Sequence, residues 1–183
     1  MVLELPTVTV DDYHRRIDAG AFVDRRVELL QGQIVDMPPE RPIHASTYRK
    51  ALRYLQQLLG ERAEVLPATP IDLSETDSEP EPDLTIAQSP LERYDDRHPT
   101  PADIYWVVEI SNTTLEYDLE QKARTYARAQ LREYWVADVQ AKVLWVHRQP
   151  SAGRYRSKTS LQAGIVVPLA FPDLEVSVKQ LLS

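Results

Sequence analysis

Apolar positions along this chain change their period several times, and each change marks an element. The segment Ile104-Tyr-Trp-Val-Val-Glu-Ile-Ser111 is the most apolar in the chain and is interrupted by Glu109. A near-continuous apolar run of this length predicts a strand buried on both faces, at the centre of a sheet. Between Ile43 and Leu59 the residues Ile43, Tyr48, Leu52, Leu55 and Leu59 recur at helical spacing, and Gly60 follows as a stop. That spacing predicts a helix. Leu115 to Gln130 predicts a second helix, rich in alanine, with Lys and Arg toward its C-terminal half as the macrodipole favours. A shorter helix is expected to start after Thr9, with Thr9 as N-cap and Asp12 three residues on, and to end at Gly20.

Shorter alternating runs predict the remaining strands. Val27–Leu30 and Gln33–Met37 flank Gln31-Gly32 and read as a β-hairpin. Glu64–Leu73 reads as a strand broken by Pro67 and Pro70, and therefore near an edge. Asp83–Ala87, Glu133–Ala137, Lys142–His147 and Tyr155–Leu161 complete the set, with a turn at Pro150-Ser-Ala-Gly153. Ser74–Glu81 is an acidic loop, and Gln88–Ala102 is a long polar loop of a length often given to function. The tail Phe171–Leu182 alternates weakly, and the sequence has no internal repeat. This order predicts one α/β domain over residues 1–183, a mixed central sheet with helices packed on it and an added N-terminal hairpin.

Composition narrows the chemistry. With 183 residues, 43% hydrophobic and 27% charged, the chain is long enough for an ordinary core. It has no cysteine, so disulfides, thiolate metal sites and a cysteine nucleophile are excluded. Any metal must be held by oxygen ligands, with or without His, and these suit Mg²⁺ or Mn²⁺. Met1-Val-Leu-Glu-Leu-Pro6 lacks the basic start and apolar run of a secretory signal, and no segment approaches a membrane span. A cytoplasmic protein with no membrane partner is expected. The net charge of −7 argues against a general nucleic-acid binder. Its distribution qualifies that. Residues 1–60 carry 8 Lys+Arg against 8 Asp+Glu, residues 61–120 carry 3 against 16, and residues 121–183 carry 10 against 4. An acidic middle beside a basic final third suits a carboxylate site flanked by phosphate-contacting arms, and equally an acidic loop beside a solvated basic surface.

Glu109 is out of place in a strand predicted to be buried. A lone buried carboxylate costs several kcal/mol, on the order given for desolvated ions, unless it is paired, protonated or bound to metal. Asp83, on a neighbouring strand, can share one edge with it. Lys122 lies on the following helix, with Asp118 four residues before it. Glu28 sits among apolar neighbours in the first hairpin. Each has a plainer account: Lys122 and Asp118 as an exposed helix pair, Asp83 as a strand start after Pro82, Glu28 paired with Arg25 or Arg26, and Glu109 paired with a buried arginine. His14, His98 and His147 show no ligand spacing, and Trp106, Trp135 and Trp145 read as core. No Gly-rich phosphate loop or nucleophile elbow is present.

Six pieces in order carry a resemblance: Arg26-Val-Glu-Leu-Leu-Gln-Gly-Gln-Ile-Val35, His44, Glu81-Pro-Asp-Leu84, Val108-Glu-Ile-Ser111, Asp118-x-x-x-Lys122-x-x-x-Tyr126 and Glu133-Tyr-Trp-Val-Ala-Asp138. Together they resemble the PD-(D/E)XK nuclease superfamily, and within it a bacterial family of endonuclease-like proteins, the Uma type. Ser111 stands where the superfamily pattern has lysine, and the resemblance implies that the lysine function has moved to Lys122 on the next helix. It also implies a restriction-endonuclease-like fold, a homodimer, and a His at position 44 facing the site, although the residues alone read equally as an ordinary surface His near a helix N-terminus. Metal-dependent hydrolysis of phosphodiester bonds, in DNA before other substrates, is the expected activity. Asp83, Glu109 and the Ile110 carbonyl would hold Mg²⁺ or Mn²⁺, with Glu28 completing the site directly or through water. Lys122, fixed by Asp118, would orient the attacking water or stabilise developing charge. Two alternatives stay open: an inactive nuclease-like module that only binds, which the Ser111 departure and the net charge favour, and a metal-dependent hydrolase of small phosphorylated molecules.

Overall fold

The computed structural model describes residues 7–183; the reading of Met1–Pro6 lies outside them. Its centre is a six-stranded sheet in the order β3 (Glu64–Pro67), β4 (Leu84–Ala87), β5 (Ile104–Ser111), β6 (Glu133–Asp138), β7 (Val143–Ser151), β8 (Arg154–Leu161). All neighbours are antiparallel except β5 and β6. A parallel pair needs a crossover, and the helical run between them supplies it. That run consists of α3 (Leu115–Tyr117), a π turn over Asp118–Lys122, and α4 (Ala123–Arg128). The result is a mixed α/β fold with helices on both faces of a mixed sheet.

The period of two in β5 and β6 sorts side chains between two cores. Trp106, Val108, Ile110 and Trp135 face α2 (Pro42–Leu59) and pack with Leu55 and Leu59. Residues of the tail, folded as β9 (Ile165–Val166), β10 (Val176–Ser177) and α5 (Val178–Leu181), close this layer through Val176, Val178 and Leu181. Val107, Tyr134 and Val136 face the other way and meet Ala123, Tyr126 and Ala127 of α4. Trp106 and Trp135 are fully buried, as the sequence predicts. Among the described residues no helix is long and apolar enough to cross a membrane.

The hairpin β1 (Val27–Leu30) and β2 (Gln33–Asp36) lies outside the main sheet. Its turn needs left-handed backbone at Gln31 and Gly32, with φ of 50° and 74°. A Cβ on Gly32 would also meet Thr7 at 2.6 Å, so glycine is required there. The hairpin is docked by main-chain bonds between Leu29 and Glu79 and by Gln31 donating to Thr125 at 2.9 Å. These bonds bring Glu28 beside the end of β4. Before the hairpin, α1 (Val10–Asp18) begins at Thr9, whose hydroxyl accepts from the Asp12 amide at 3.1 Å.

Several boundaries differ from the sequence reading. The strand expected over Glu64–Leu73 ends at Pro67: Ala68 still donates to the Asp83 carbonyl at 2.9 Å, but its φ of 40° turns the chain out of the ladder. Ile71 and Leu73 are buried against the second core outside the sheet, Leu73 in an isolated antiparallel bridge with Ser78. Strand β7 continues to Ser151, and Pro150 pairs with Tyr155 of β8 beyond Glu133, the first residue of β6. The tail forms short strands and a helix instead of one alternating segment. The loop after β4 is tied down by Asp103, which accepts from Arg97, Arg93 and both the amide and hydroxyl of Thr100. The Arg97 guanidinium, with the Thr100 bonds, holds the Asp103 carboxyl well below the usual carboxylate range against the opposing effect of burial. Asp103→Ala should therefore cost on the order of 2–3 kcal/mol in urea unfolding, since a buried charged acceptor is removed and its donors are left without it. The Asp103 contribution is present above the ordinary carboxylate pKa and fades as pH falls toward the depressed one. Wild type and variant should thus converge in acid.

Candidate active site

Glu109 shares its face with Val107, so its side chain enters the layer between β5 and the α3–α4 run. It is 4% exposed. Its Oε1 accepts from Lys122 Nζ at 2.9 Å and from the Tyr126 hydroxyl at 2.6 Å; its Oε2 accepts from the Asp83 amide at 3.4 Å. Asp83, immediately before β4, accepts from the Ile110 amide at 2.6 Å through Oδ2. This bond locks the two strand ends together. His44, near the start of α2, places Nε2 3.2 Å from Asp83 Oδ1, while its buried Nδ1 has no partner among the described residues.

Lys122 is buried, and its ammonium also stands 3.1 Å from Glu28 Oε2. Glu28 accepts from the Glu81 amide at 3.3 Å. Neither Arg25 nor Arg26 takes Glu28: Arg25 pairs with Asp36, and Arg26 with Glu81 and Glu40. The expected Lys122–Asp118 pairing is not what fixes the lysine. Asp118 is itself buried and accepts from Ser111 at 2.5 Å and Thr114 at 2.7 Å. Ser111 thus supports Asp118 and faces the helix, not the cavity. The π turn accounts for this geometry. It adds one residue to the turn, so Asp118 and Tyr126, eight apart, share a face as an i,i+7 pair would. Asp118, Lys122 and Tyr126 all turn toward β5 as a result.

Glu28, His44, Asp83, Glu109, Ile110, Asp118 and Lys122 line one cavity of about 280 Å³. The structure therefore brings together every site residue singled out in the sequence, with Ser111 just behind. Tyr126, Arg26 and Glu81 stand among the sequence pieces that carry the resemblance, but sequence reasoning gave them no part in the site. Tyr126 had a signal, since it lies four residues past Lys122 on the same helix. Arg26 and Glu81 meet only because the hairpin docks on the acidic loop.

Negative charge is in excess here. Burial pushes the Glu109 carboxyl up to about 8; the Lys122 charge opposes the rise, and Asp83, Asp118 and Glu28 reinforce it. Burial likewise raises Asp118, against Lys122 and the bonds from Ser111 and Thr114. Burial alone would lower Lys122, but Glu109, Glu28 and Asp118 outweigh it and drive its pKa well above the ordinary lysine value. For His44 burial is again opposed, by the Asp83 bond and charge, and the net shift is upward. One ammonium therefore faces four carboxylates. The donor set is all oxygen and fits a hard divalent cation. Among the described residues no three of Asp, Glu, His and Cys are grouped to hold an ion by themselves. Mg²⁺ suits such a place, because it commonly takes one or two carboxylates and keeps several waters.

Comparison with known proteins speaks to the fold and the family. No curated protein matches the chain. The crystal structure of "a putative nuclease belonging to DUF820 from Anabaena variabilis ATCC 29413" superposes with a TM-score of 0.69 at 16% identity, over 96% of this chain and 97% of that one. At that identity the likeness speaks for a shared fold. The model of the family Uma2, described as "Putative restriction endonuclease", matches residues 10–179. With that match spanning nearly the whole chain, the protein belongs to the Uma2 family.

Proposed function

We propose that the protein is a metal-dependent endonuclease that hydrolyses phosphodiester bonds in DNA. The observation that carries this reading is the buried Glu109 beside Asp83 at adjoining strand ends, with the Lys122 ammonium on the same carboxylate. Asp83, Glu109 and the Ile110 carbonyl would hold Mg²⁺ or Mn²⁺, with Glu28 reaching the ion through water. The ion would polarise a phosphoryl oxygen and make its bound water a stronger nucleophile. Tyr126 and Lys122 hold Glu109 Oε1, which leaves Oε2 turned toward Asp83. Lys122 has three N–H donors, of which Glu109 takes one and the Glu28 ion pair at 3.1 Å engages at most a second. The third is available to the attacking water or to a phosphoryl oxygen. Asp118, held by Ser111 and Thr114, adds negative charge that keeps Lys122 protonated. Arg26, half exposed at the cavity edge, can exchange Glu40 or Glu81 for a substrate phosphate. Cutting both strands calls for two sites, which a cytoplasmic homodimer would provide.

Plasmid and single-stranded DNA incubated with Mg²⁺, Mn²⁺ or EDTA test this reading. Cutting should require the ion and should fall at least about a hundred-fold in Glu109→Gln, consistent with loss of a group that orders the reacting centre. Glutamine can still accept from Tyr126, so the fold is kept. Ion-independent cutting, or equal cutting by the variant, would count against the assignment. No cutting of any DNA, with turnover of a small phosphodiester, would move the substrate to small phosphorylated molecules.

A further inference from the structure

The helical run that carries Lys122 and Asp118 into the active cavity has a second flank. There Ala123, Arg124 and Glu120 form one wall of a separate pocket of about 420 Å³, and Arg154, Tyr155 and Lys158 of β8 form the other. Three cations face one carboxylate. Arg124 meets Glu120 at 3.4 Å, a side-chain pair largely open to water and so of little worth. Neither Arg154 nor Lys158 belongs to an ion pair among the described residues, and both are exposed. Strand β8 is also the edge of the sheet, so its outer main-chain groups have no strand neighbour among the described residues. The pocket thus gathers cations from a chain whose net charge is −7 and whose active cavity sets seven carboxylates against Lys122 and Arg26.

We infer that this pocket is a binding surface for the phosphate backbone of duplex DNA, separate from the hydrolytic centre. The inference rests on the nuclease reading and adds to it the surface that holds the substrate. The acidic centre repels a polyanion except at the phosphate being cut, so the attraction that retains DNA must come from elsewhere. An α-helix with its side chains is about 10–12 Å across. That width corresponds to about three base-pair steps of roughly 3.4 Å. A duplex engaged at the cavity therefore has further phosphates within reach of Arg124, Arg154 and Lys158 on the far flank. Such phosphate pairing fixes position and carries no sequence information.

The test is fluorescence anisotropy of the full chain with a labelled DNA duplex in EDTA, where binding is read without cleavage. It compares wild type, Arg154→Glu/Lys158→Glu, and a charge-matched control, Lys50→Glu/Arg53→Glu. Lys50 and Arg53 line a different surface, between α2 and α5. The first variant should bind at least about ten-fold more weakly, and the slope of log K against log salt should shrink by about 2, as each cation ceases to neutralise one phosphate. Arg154→Gln/Lys158→Gln should fall between it and wild type, and melting temperatures should match throughout. The control should lose much less. Equal losses in both charge-reversal variants would trace binding to net charge and overturn the proposal. So would unchanged affinity in the β8 variant, which would leave its cations as guards against edge-to-edge pairing. Absence of duplex binding by wild type also overturns this surface, whereas the hydrolytic reading stands or falls separately on ion-dependent turnover.

Discussion

A Lys122→Met variant should cleave DNA at least about a hundred-fold more slowly than wild type while binding Mn²⁺ no less tightly. The ammonium is the one protein cation inside the cluster, between Glu109 and Glu28 at 2.9 and 3.1 Å. Methionine fills similar space and supplies neither donor nor charge. Two carboxylates are then buried without a counter-ion, a situation that costs about 3–5 kcal/mol when one partner of a buried pair is removed. Glu109 relieves part of that by taking up a proton, which its raised pKa already favours. A divalent ion relieves the rest, so the variant should gain more in melting temperature from Mn²⁺ than wild type does. Cleavage assayed well below the melting temperature separates chemistry from stability. If the variant, once folded, cuts at the wild-type rate, Lys122 is a structural counter-ion and the proton- and charge-handling role belongs to another residue.

Much of this cluster was legible in the sequence because burial and charge conflict there. Glu109 stands in a strand otherwise apolar, and a conflict of that kind predicts a compensating partner before any coordinates are seen. The strand–helix–strand order then placed Lys122 on the helix covering that strand. The identity of the bonding partners was less legible. An i,i+4 spacing suggested that Asp118 fixes Lys122, and only the π turn shows Asp118 bound to Ser111 and Thr114 instead. A widened turn leaves no signature in hydrophobic spacing over so few residues. Glu28 was ambiguous for a different reason. Pairing with Arg25 or Arg26 and a place in the metal site were both open, and the choice depended on how the hairpin docks, through a bond that spans about fifty residues of chain from Glu28 to Glu81. Proline-rich segments were the other source of error: a strand ended at Pro67 where apolar alternation continued, and Pro150 sat in a strand where it suggested a turn. Pro150 is tolerated because pairing with β6 stops at Arg148 and no neighbour needs its amide, whereas Pro67 still pairs with Leu84 and the chain leaves the ladder at the left-handed Ala68.

Raising the pH from about 5 to about 9 without divalent ions should lower the stability of the wild-type chain. The ordinary glutamate value is 4.5, and in the fold Glu109 lies near 8. Between those values the native state holds a proton that the unfolded chain has released, so the stabilising contribution is full below about 4.5 and is lost as pH rises through about 8. His44 acts in the same sense, its pKa being raised in the fold, so its contribution also fades with rising pH. With the opposing Lys122 charge already contained in that raised value, the Glu109 share is on the order of 2–4 kcal/mol, or about 5–10 °C in melting temperature for a chain of this size. Glu109→Gln should remove most of the fall and leave the smaller falling shares of His44 and Asp118, together with a rising share from His147, whose pKa burial lowers to about 4, as pH climbs toward 6.5. Mg²⁺ or Mn²⁺ added at about pH 8.5 should raise the wild-type melting temperature, because the ion binds the ionised native cluster and not the unfolded chain. The same addition should do little for Glu109→Gln. Parallel pH profiles in the two proteins would mean that Glu109 stays ionised in the fold at all these pH values, with Lys122 and Tyr126 sufficient to hold its charge. In that case the cluster has no unmet need for a cation, and the physical case for a metal at Asp83 and Glu109 loses its main support.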